Sequence, residues 1–284
     1  MSKIPTIPYL TGFTVKPNTT SPLGVVTFTD GTNEIIPNQT QCEAYGYTYD
    51  SVSGTCSAFR YNTNLNIAFA NENNKTYGVG NSTETGTNNT LVMGENNTVK
   101  GFSRNNIIVG NQNEIANSVN NAFVYGTLGE ATADNSIVLG ANASTDNLAE
   151  RQSIHLMYGT QTTAGGTVDS YLNNITDNYF TIPENTAMYF HADVLAVRVG
   201  GTGTGSAGDF ASFVERGVVI NKSGTLSISR ERDAIKSSGT VTNWRPTATV
   251  NGTDFIMDVR GATDVTIEWA SNIRFTQIKT GVAL

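Results

Sequence analysis

Two cysteines, two histidines and a scatter of carboxylates are the side chains whose chemistry could reach beyond packing in this sequence. Cys42 and Cys56 flank Tyr45-Gly46-Tyr47-Thr48-Tyr49-Asp50-Ser51-Val52-Ser53-Gly54. Alternating aromatic and small residues, then Asp, Ser and Gly, read as a hairpin. Across such a loop the two sulfurs are candidates for a disulfide, worth about 3 kcal/mol by chain entropy. A chain made in a cytosol would form it only after release. Reduced, buried thiols are the plain alternative. Zinc is disfavoured, because only the distant His155 and His191 could complete a site and their spacing is not that of a zinc finger.

Each histidine lies in an apolar run, Ser153-Ile154-His155-Leu156 and Phe190-His191-Ala192, where a packed, hydrogen-bonded imidazole is expected rather than a catalytic base. Asp193, Asp209, Glu215, Asp258, Asp264 and Glu268 offer carboxylates, but nothing in their order brings two together at the separation glycosidases use. Gly203-Thr204-Gly205-Ser206-Ala207-Gly208 matches a dinucleotide-binding pattern that needs a helix next; Asp209 to Val219 is too short and too β-branched to supply one, so a flexible loop is expected. Trp244 and Trp269 are candidates for stacking on glycan, with core packing the default for Trp269. We assign no catalytic residue, cofactor or metal from the sequence, and expect a non-enzyme.

The elements that must position these residues are set by composition and by a repeat. Only 14% of the 284 residues are charged and 38% are hydrophobic, with Asn, Thr, Ser and Gly abundant, which favours strands and turns over helix. A net charge of -7 without a Lys/Arg cluster opposes nucleic-acid binding. The start lacks a secretory pattern and no apolar run reaches the roughly 20 residues of a membrane span. Cytosolic synthesis without membrane insertion is expected.

From residue 75 the chain repeats Asn, a short apolar run and Gly: Thr76-Tyr77-Gly78-Val79-Gly80, Leu91-Val92-Met93-Gly94, Ile107-Ile108-Val109-Gly110, Phe123-Val124-Tyr125-Gly126 and Ile137-Val138-Leu139-Gly140. Taken as closing residues, Gly80, Gly94, Gly110, Gly126 and Gly140 recur every 14 or 16 positions. A weaker second half, with inward Val99, Ile115 and Ala131, follows at a spacing of 16. Two short strands and two turns per period describe one coil of a parallel β-roll or β-helix, stable only when stacked. The alternative is an antiparallel sandwich. Runs apolar on both faces need a second burial surface beyond the thin roll, and a neighbouring subunit is the simplest one. Leu91, Val92, Ile107, Ile108, Val109, Phe123, Val124, Ile137, Val138 and Leu139 are therefore the candidate roll core and trimer interface, with Ile137 and Leu139 on one face and Val138 on the other.

Residues 75 to 145, and Asn135 to Ala143 above all, resemble the head repeats of trimeric autotransporter adhesins, which implies a trimer of β-rolls. An autotransporter needs a signal peptide, a stalk and an anchor, which are not found here; similar rolls occur in bacteriophage head and tail fibres. The resemblance implies a homotrimeric structural fibre on the virion surface, with host-surface glycan as a further partner. A receptor-binding tail fibre, a polysaccharide depolymerase tailspike and a bacterial surface adhesin are the alternatives. Three segments are expected: 1–65, a Pro-rich extended arm with the Cys hairpin, attaching to a capsid or tail protein; 66–146, the roll; and 147–284, a β-sandwich or jelly-roll-like domain built on the runs Thr181 to Arg198, Val218 to Ser229 and Asp254 to Phe275.

Overall fold

The computed structural model describes residues 15–21, 24–51, 53–58, 73–238, 241 and 243–281. The chain divides into two compact units, residues 1–67 and 68–284. The regular structure among the described residues is almost all strand, and no described helix is long and apolar enough to cross a membrane.

In the first unit, β1 (Lys16–Thr20), β2 (Val26–Thr29) and β3 (Glu34–Ile35) form an antiparallel sheet. The one helix among the described residues, α1 (Gln39–Ala44), starts at a capping box: the Asn38 side chain accepts from the Gln41 backbone amide while the Gln41 side chain accepts from the Asn38 backbone amide. A hairpin of β4 (Thr48–Asp50) and β5 (Thr55–Ser57) follows. The hairpin is thus shorter than the sequence suggests, because Tyr45 caps the helix and Gly46 takes the positive φ that leaves it. Phe28, Val26 and the Cys42–Cys56 disulfide form a small core, with Tyr45 and Tyr47 edge-on to Phe28. Among the described residues, Val15, Tyr47, Tyr49 and Ala58 pack against this core. Residues 1–14, with Pro5 and Pro8 of the attachment reading, lie outside the described residues.

The second unit opens with the parallel roll. Strands β6 (Lys75–Val79), β8 (Leu91–Glu95), β10 (Ile107–Asn111), β12 (Phe123–Thr127) and β14 (Ile137–Ala141) stack in one sheet. Alternating with them, β7 (Ser82–Thr83), β9 (Thr98–Val99), β11 (Glu114–Ile115) and β13 (Glu130–Ala131) stack in another. Both are parallel, so the repeat is a β-solenoid and the antiparallel alternative is excluded. The register corrects one alignment: Gly78, not Gly80, pairs with Gly94, and the first period is 16. Gly80 stands where later coils carry Asn96, Gln112 and Leu128, all with φ near 55°. A glycine is required at the strand position itself. At Gly110, φ is 136° and a Cβ would lie 1.9 Å from the Gly126 carbonyl oxygen of the next coil.

Val92, Ile108, Val124 and Val138 on the main sheet face Val99, Ile115 and Ala131 inside the roll, all fully buried. The polar corners are closed by side-chain ladders. Asn113 donates to Asn97 Oδ1 (3.0 Å) and Asn97 to Asn81 Oδ1 (2.9 Å), each also reaching a glycine carbonyl one coil on. An outer ladder links Asn73, Asn89, Asn105 and Asn121 at 3.1–3.2 Å. The first described coil puts Thr76 and Thr83 where its successors put Val92 and Val99, so the described roll begins on a more polar coil. At the other end, the Gln152 amide accepts from the Glu130 backbone amide and donates to its carbonyl, standing in for a further coil.

The main sheet continues through β15 (Arg151–Thr162), which runs antiparallel to β14. β16 (Thr167–Leu172), β17 (Phe180–Thr181), β18 (Thr186–Gly201), β19 (Phe210–Lys222), β20 (Thr225–Ser237), β21 (Arg245–Asn251), β22 (Asp254–Arg260) and β23 (Val265–Lys279) complete the chain. The long strands extend the main sheet in the order β15-β23-β18-β19-β20, while β16, β17 and β21 gather around β22 as a second layer. Phe255 and Met257 of that layer are buried with Tyr158, Phe190 and Phe275 of the long strands; ring centroids lie 5.1 Å apart for Phe255–Phe190 and Phe255–Phe275. All three strand-like runs read from sequence are broken by a turn, at Glu184-Asn185, at Ser223-Gly224 and at Gly261–Asp264.

Candidate assembly face

Side chains alternate across a strand, so each roll strand sends one set inward and the other out. Inward go Val92, Ile108, Val124 and Val138, each 0% exposed. The other candidate interface residues form two outward rows in register. One runs Leu91, Ile107, Phe123, Ile137, and the second Tyr77, Met93, Val109, Tyr125, Leu139. Within a single chain Ile137 is 47% exposed, Leu139 40% and Tyr125 54%. The ten candidates thus divide by face: four fill the roll and six lie outside it. Val138, one of the ten candidates for roll core or trimer interface, belongs to the interior; a strand shows which residues share a face, but only the coil shows which face is inside. Tyr77, Met93 and Tyr125 join the outer rows. Their spacing of 16, the period of the second half-repeat, was the signal that could have found them.

Apolar side chains on adjacent strands make a continuous surface, because cross-strand partners on one face lie about 5 Å apart. The roll sheet therefore carries a band of exposed apolar groups over a core that is already filled. Soluble single chains rarely leave so much of one face uncovered.

Past β14 the first row changes character. Ile137 pairs with His155, His155 with Arg274, Arg274 with His191 and His191 with Arg216. The histidines, expected inside apolar strands, lie half-buried on the outer face beside a shared arginine. Burial, with the Arg274 charge, holds the His155 imidazole below its ordinary pKa. His191 Nε2 lies 3.3 Å from Asp193 Oδ1.

The remaining carboxylates are dispersed. Glu215 is fully buried and accepts from the Ala248 amide (2.8 Å) and from Arg230 (3.1 Å), tying β19 to β21 and β20. Burial raises its pKa against the lowering pull of those donors. Asp209 accepts from Ser206 in the glycine-rich loop, and Glu268 accepts from Gln161. Asp258 meets Asp169, which lies opposite it on β16 and was not among the sequence candidates. Tyr179 donates to Asp169 (2.6 Å) and Thr249 to Asp258 (3.0 Å). The two carboxyls lie on directly paired residues of adjacent strands, and Asp169 adds to the burial that raises the Asp258 pKa.

No helix follows the glycine-rich loop, which joins β18 to β19. It is held rather than free: the buried Arg198 guanidinium and its Nε donate to the carbonyls of Gly200, Gly201, Gly203 and Thr204 at 2.7–3.0 Å. Trp244 and Trp269 are both core residues with rings 6.3 Å apart, so neither is free to stack on a ligand. Trp269 also donates to Thr162.

No family model and no curated protein matches the sequence. Among solved structures, the Acinetobacter baumannii phage AM24 tailspike protein is similar over 74% of this chain and 50% of its own, at 8% identity and TM-score 0.30. The Acinetobacter phage vB_ApiP_P1 tailspike protein matches over 73% and 52%, at 11% identity and TM-score 0.27. Tailspike protein gp49 from Acinetobacter baumannii bacteriophage Fri1, a capsular polysaccharide depolymerase, matches over 70% and 44%, at 6% identity and TM-score 0.23. The chain spans about half the length of these tailspikes, and at such TM-scores the likenesses carry no argument about fold or function.

Proposed function

We propose that this chain is a structural, non-enzymatic fibre element of a bacteriophage virion, homotrimeric through its roll, with the first unit toward the particle and host-surface glycan as an outer contact. The observation that carries the assembly part is the pair of registered apolar rows outside a filled roll. Their burial between copies would remove exposed Ile, Leu, Met and Tyr from water in every subunit at once. The phage setting rests on the resemblance of residues 75 to 145 to adhesin head repeats, a kind of roll that bacteriophage fibres also carry. Light scattering on the purified chain tests the assembly: a mass of three chains is expected, and a monomer at micromolar concentration would refute it. Antibody labelling of particles in negative stain tests the location. A steady release of reducing ends from capsular polysaccharide would overturn the non-enzymatic part.

A further inference from the structure

Beyond β14 the outer face of the main sheet holds an arrangement that stability alone does not favour. Arg274 on β23 has His155 directly opposite on β15 and His191 directly opposite on β18. Each imidazole would repel Arg274 once protonated, and a packed surface gains nothing from aligning the three. Around the three, Asp193 is engaged by His191, while Glu231 and Asp233 both pair with Arg216 on the next strand. Toward the roll the neighbour is the apolar Ile137. Arg274 itself is exposed and has no carboxylate partner among the described residues.

The flanking rows are of another kind. Thr276 and Tyr189 lie two residues away on the same strands and face, in register with each other, and Asn272 lies on the opposite side of Arg274. All three are exposed. An unpaired guanidinium between two imidazoles is thus bordered by a hydroxyl, an amide and a phenol ring. Guanidinium binds carboxylate through two parallel hydrogen bonds, and both histidines add N–H donors when protonated. The surrounding neutral groups suit a polyhydroxylated ligand with one flat apolar face.

We propose that the His155–Arg274–His191 row is a binding site for a carboxylate-bearing glycan. This names the glycan class for the fibre reading, on which it rests for its biological setting. Nucleic acid is the poorer partner, because the chain is acidic overall and Asp193, Glu231 and Asp233 border the row. A carboxylate seated on the row gains attraction once an adjacent imidazole is protonated, which for His155 takes a pH below the ordinary histidine range, so binding tightens toward acid pH.

The test uses the full chain and immobilised polygalacturonate, with its methyl ester as the uncharged match and duplex DNA as the competing polyanion, read by interferometry at pH 5.5 and 7.5. Polygalacturonate is expected to bind at least tenfold tighter than the ester or DNA, and several-fold tighter at pH 5.5. Arg274→Gln should lower that affinity at least tenfold with an unchanged melting temperature. His155→Gln with His191→Gln should abolish the pH dependence, and Arg245→Gln on the far layer should change nothing. Equal binding to the ester, stronger binding to DNA, no binding at all, or full binding by Arg274→Gln would each overturn the site. Light scattering on the same samples reads the assembly separately: a monomer that still binds refutes the trimer and leaves the row standing. A trimer lost on Arg274→Gln would assign the row to contacts between copies and refute the glycan site.

Discussion

Adjacent residues on β14 should fail in different ways when charged. Leu139 faces out and is 40% exposed, whereas Val138 faces into the roll and is 0% exposed. Full burial of a Leu is worth about 1.5–3 kcal/mol, so covering what remains of Leu139 adds about 1 kcal/mol per copy. Leu139→Asp forfeits that three times in a trimer, about 3 kcal/mol and hence about a hundredfold in the assembly constant, before the repulsion of three new carboxylates. The same substitution leaves the interior untouched, so the β-rich circular dichroism spectrum of the isolated chain should persist. Val138→Asp instead strands a carboxylate beside Val124 and Ile154, its neighbours across the sheet, where no donor awaits it. It should cost several kcal/mol and melt the last coil itself. Analytical ultracentrifugation over a hundredfold range of concentration, with circular dichroism on the same samples, separates the two. Leu139→Asp sedimenting as an unchanged trimer would show that the outer rows do not hold the copies together. Loss of spectrum in both variants would show that the faces are not separable as drawn here.

Gly110→Ala should destabilise the roll by at least about 3 kcal/mol, since the new Cβ meets a backbone oxygen at 1.9 Å and φ is 136°; a thermal melt within 2 °C of the parent would contradict the stacking. Reduction of Cys42–Cys56 should loosen only the first unit, by about 3 kcal/mol. Thermolysin with and without reductant should then cut within 15–58 and leave roll peptides protected, and two alkylated cysteines in thiol-blocked native protein would end the pairing. Asp258 is held above the ordinary carboxylate range, first by burial, with the Asp169 carboxyl adding to it and Thr249 opposing. A raised carboxyl stabilises the fold below its unfolded value of about 3.9 and loses that contribution as pH rises through the folded value. Asp258→Asn should therefore melt higher than the parent at pH 7 and converge with it at pH 4 in a fluorescence melt; an equal gap at both would refute the raised carboxyl.

How much could be read from residues alone is clearest in the roll. Its existence, its parallel stacking and the inward Val99, Ile115 and Ala131 follow from a period long enough to repeat five times, because each coil meets the same neighbours and must solve the same packing problem. The exact register did not, since Gly78 and Gly80 both lie at the end of the first run and only hydrogen bonding to Gly94 distinguishes them. Alternation placed Ile137 with Leu139 and apart from Val138, a local property of any strand. Which of those faces looks inward depends on the direction the chain turns at Asn135 and beyond, a matter of left-handed corners that sequence marks only as Asn or Gly. Beyond the repeat, local pattern gave strand-rich runs and little else. His155, His191 and Arg274 are separated by 36 and 83 positions, and nothing periodic connects them; they become neighbours because β23 returns to lie between β15 and β18. The same holds for Asp169 and Asp258, joined by an antiparallel pairing across 89 positions. The sequence by itself determined the elements whose neighbours repeat. The tertiary structure alone decided every contact made once, because a single long-range pairing leaves no period to detect.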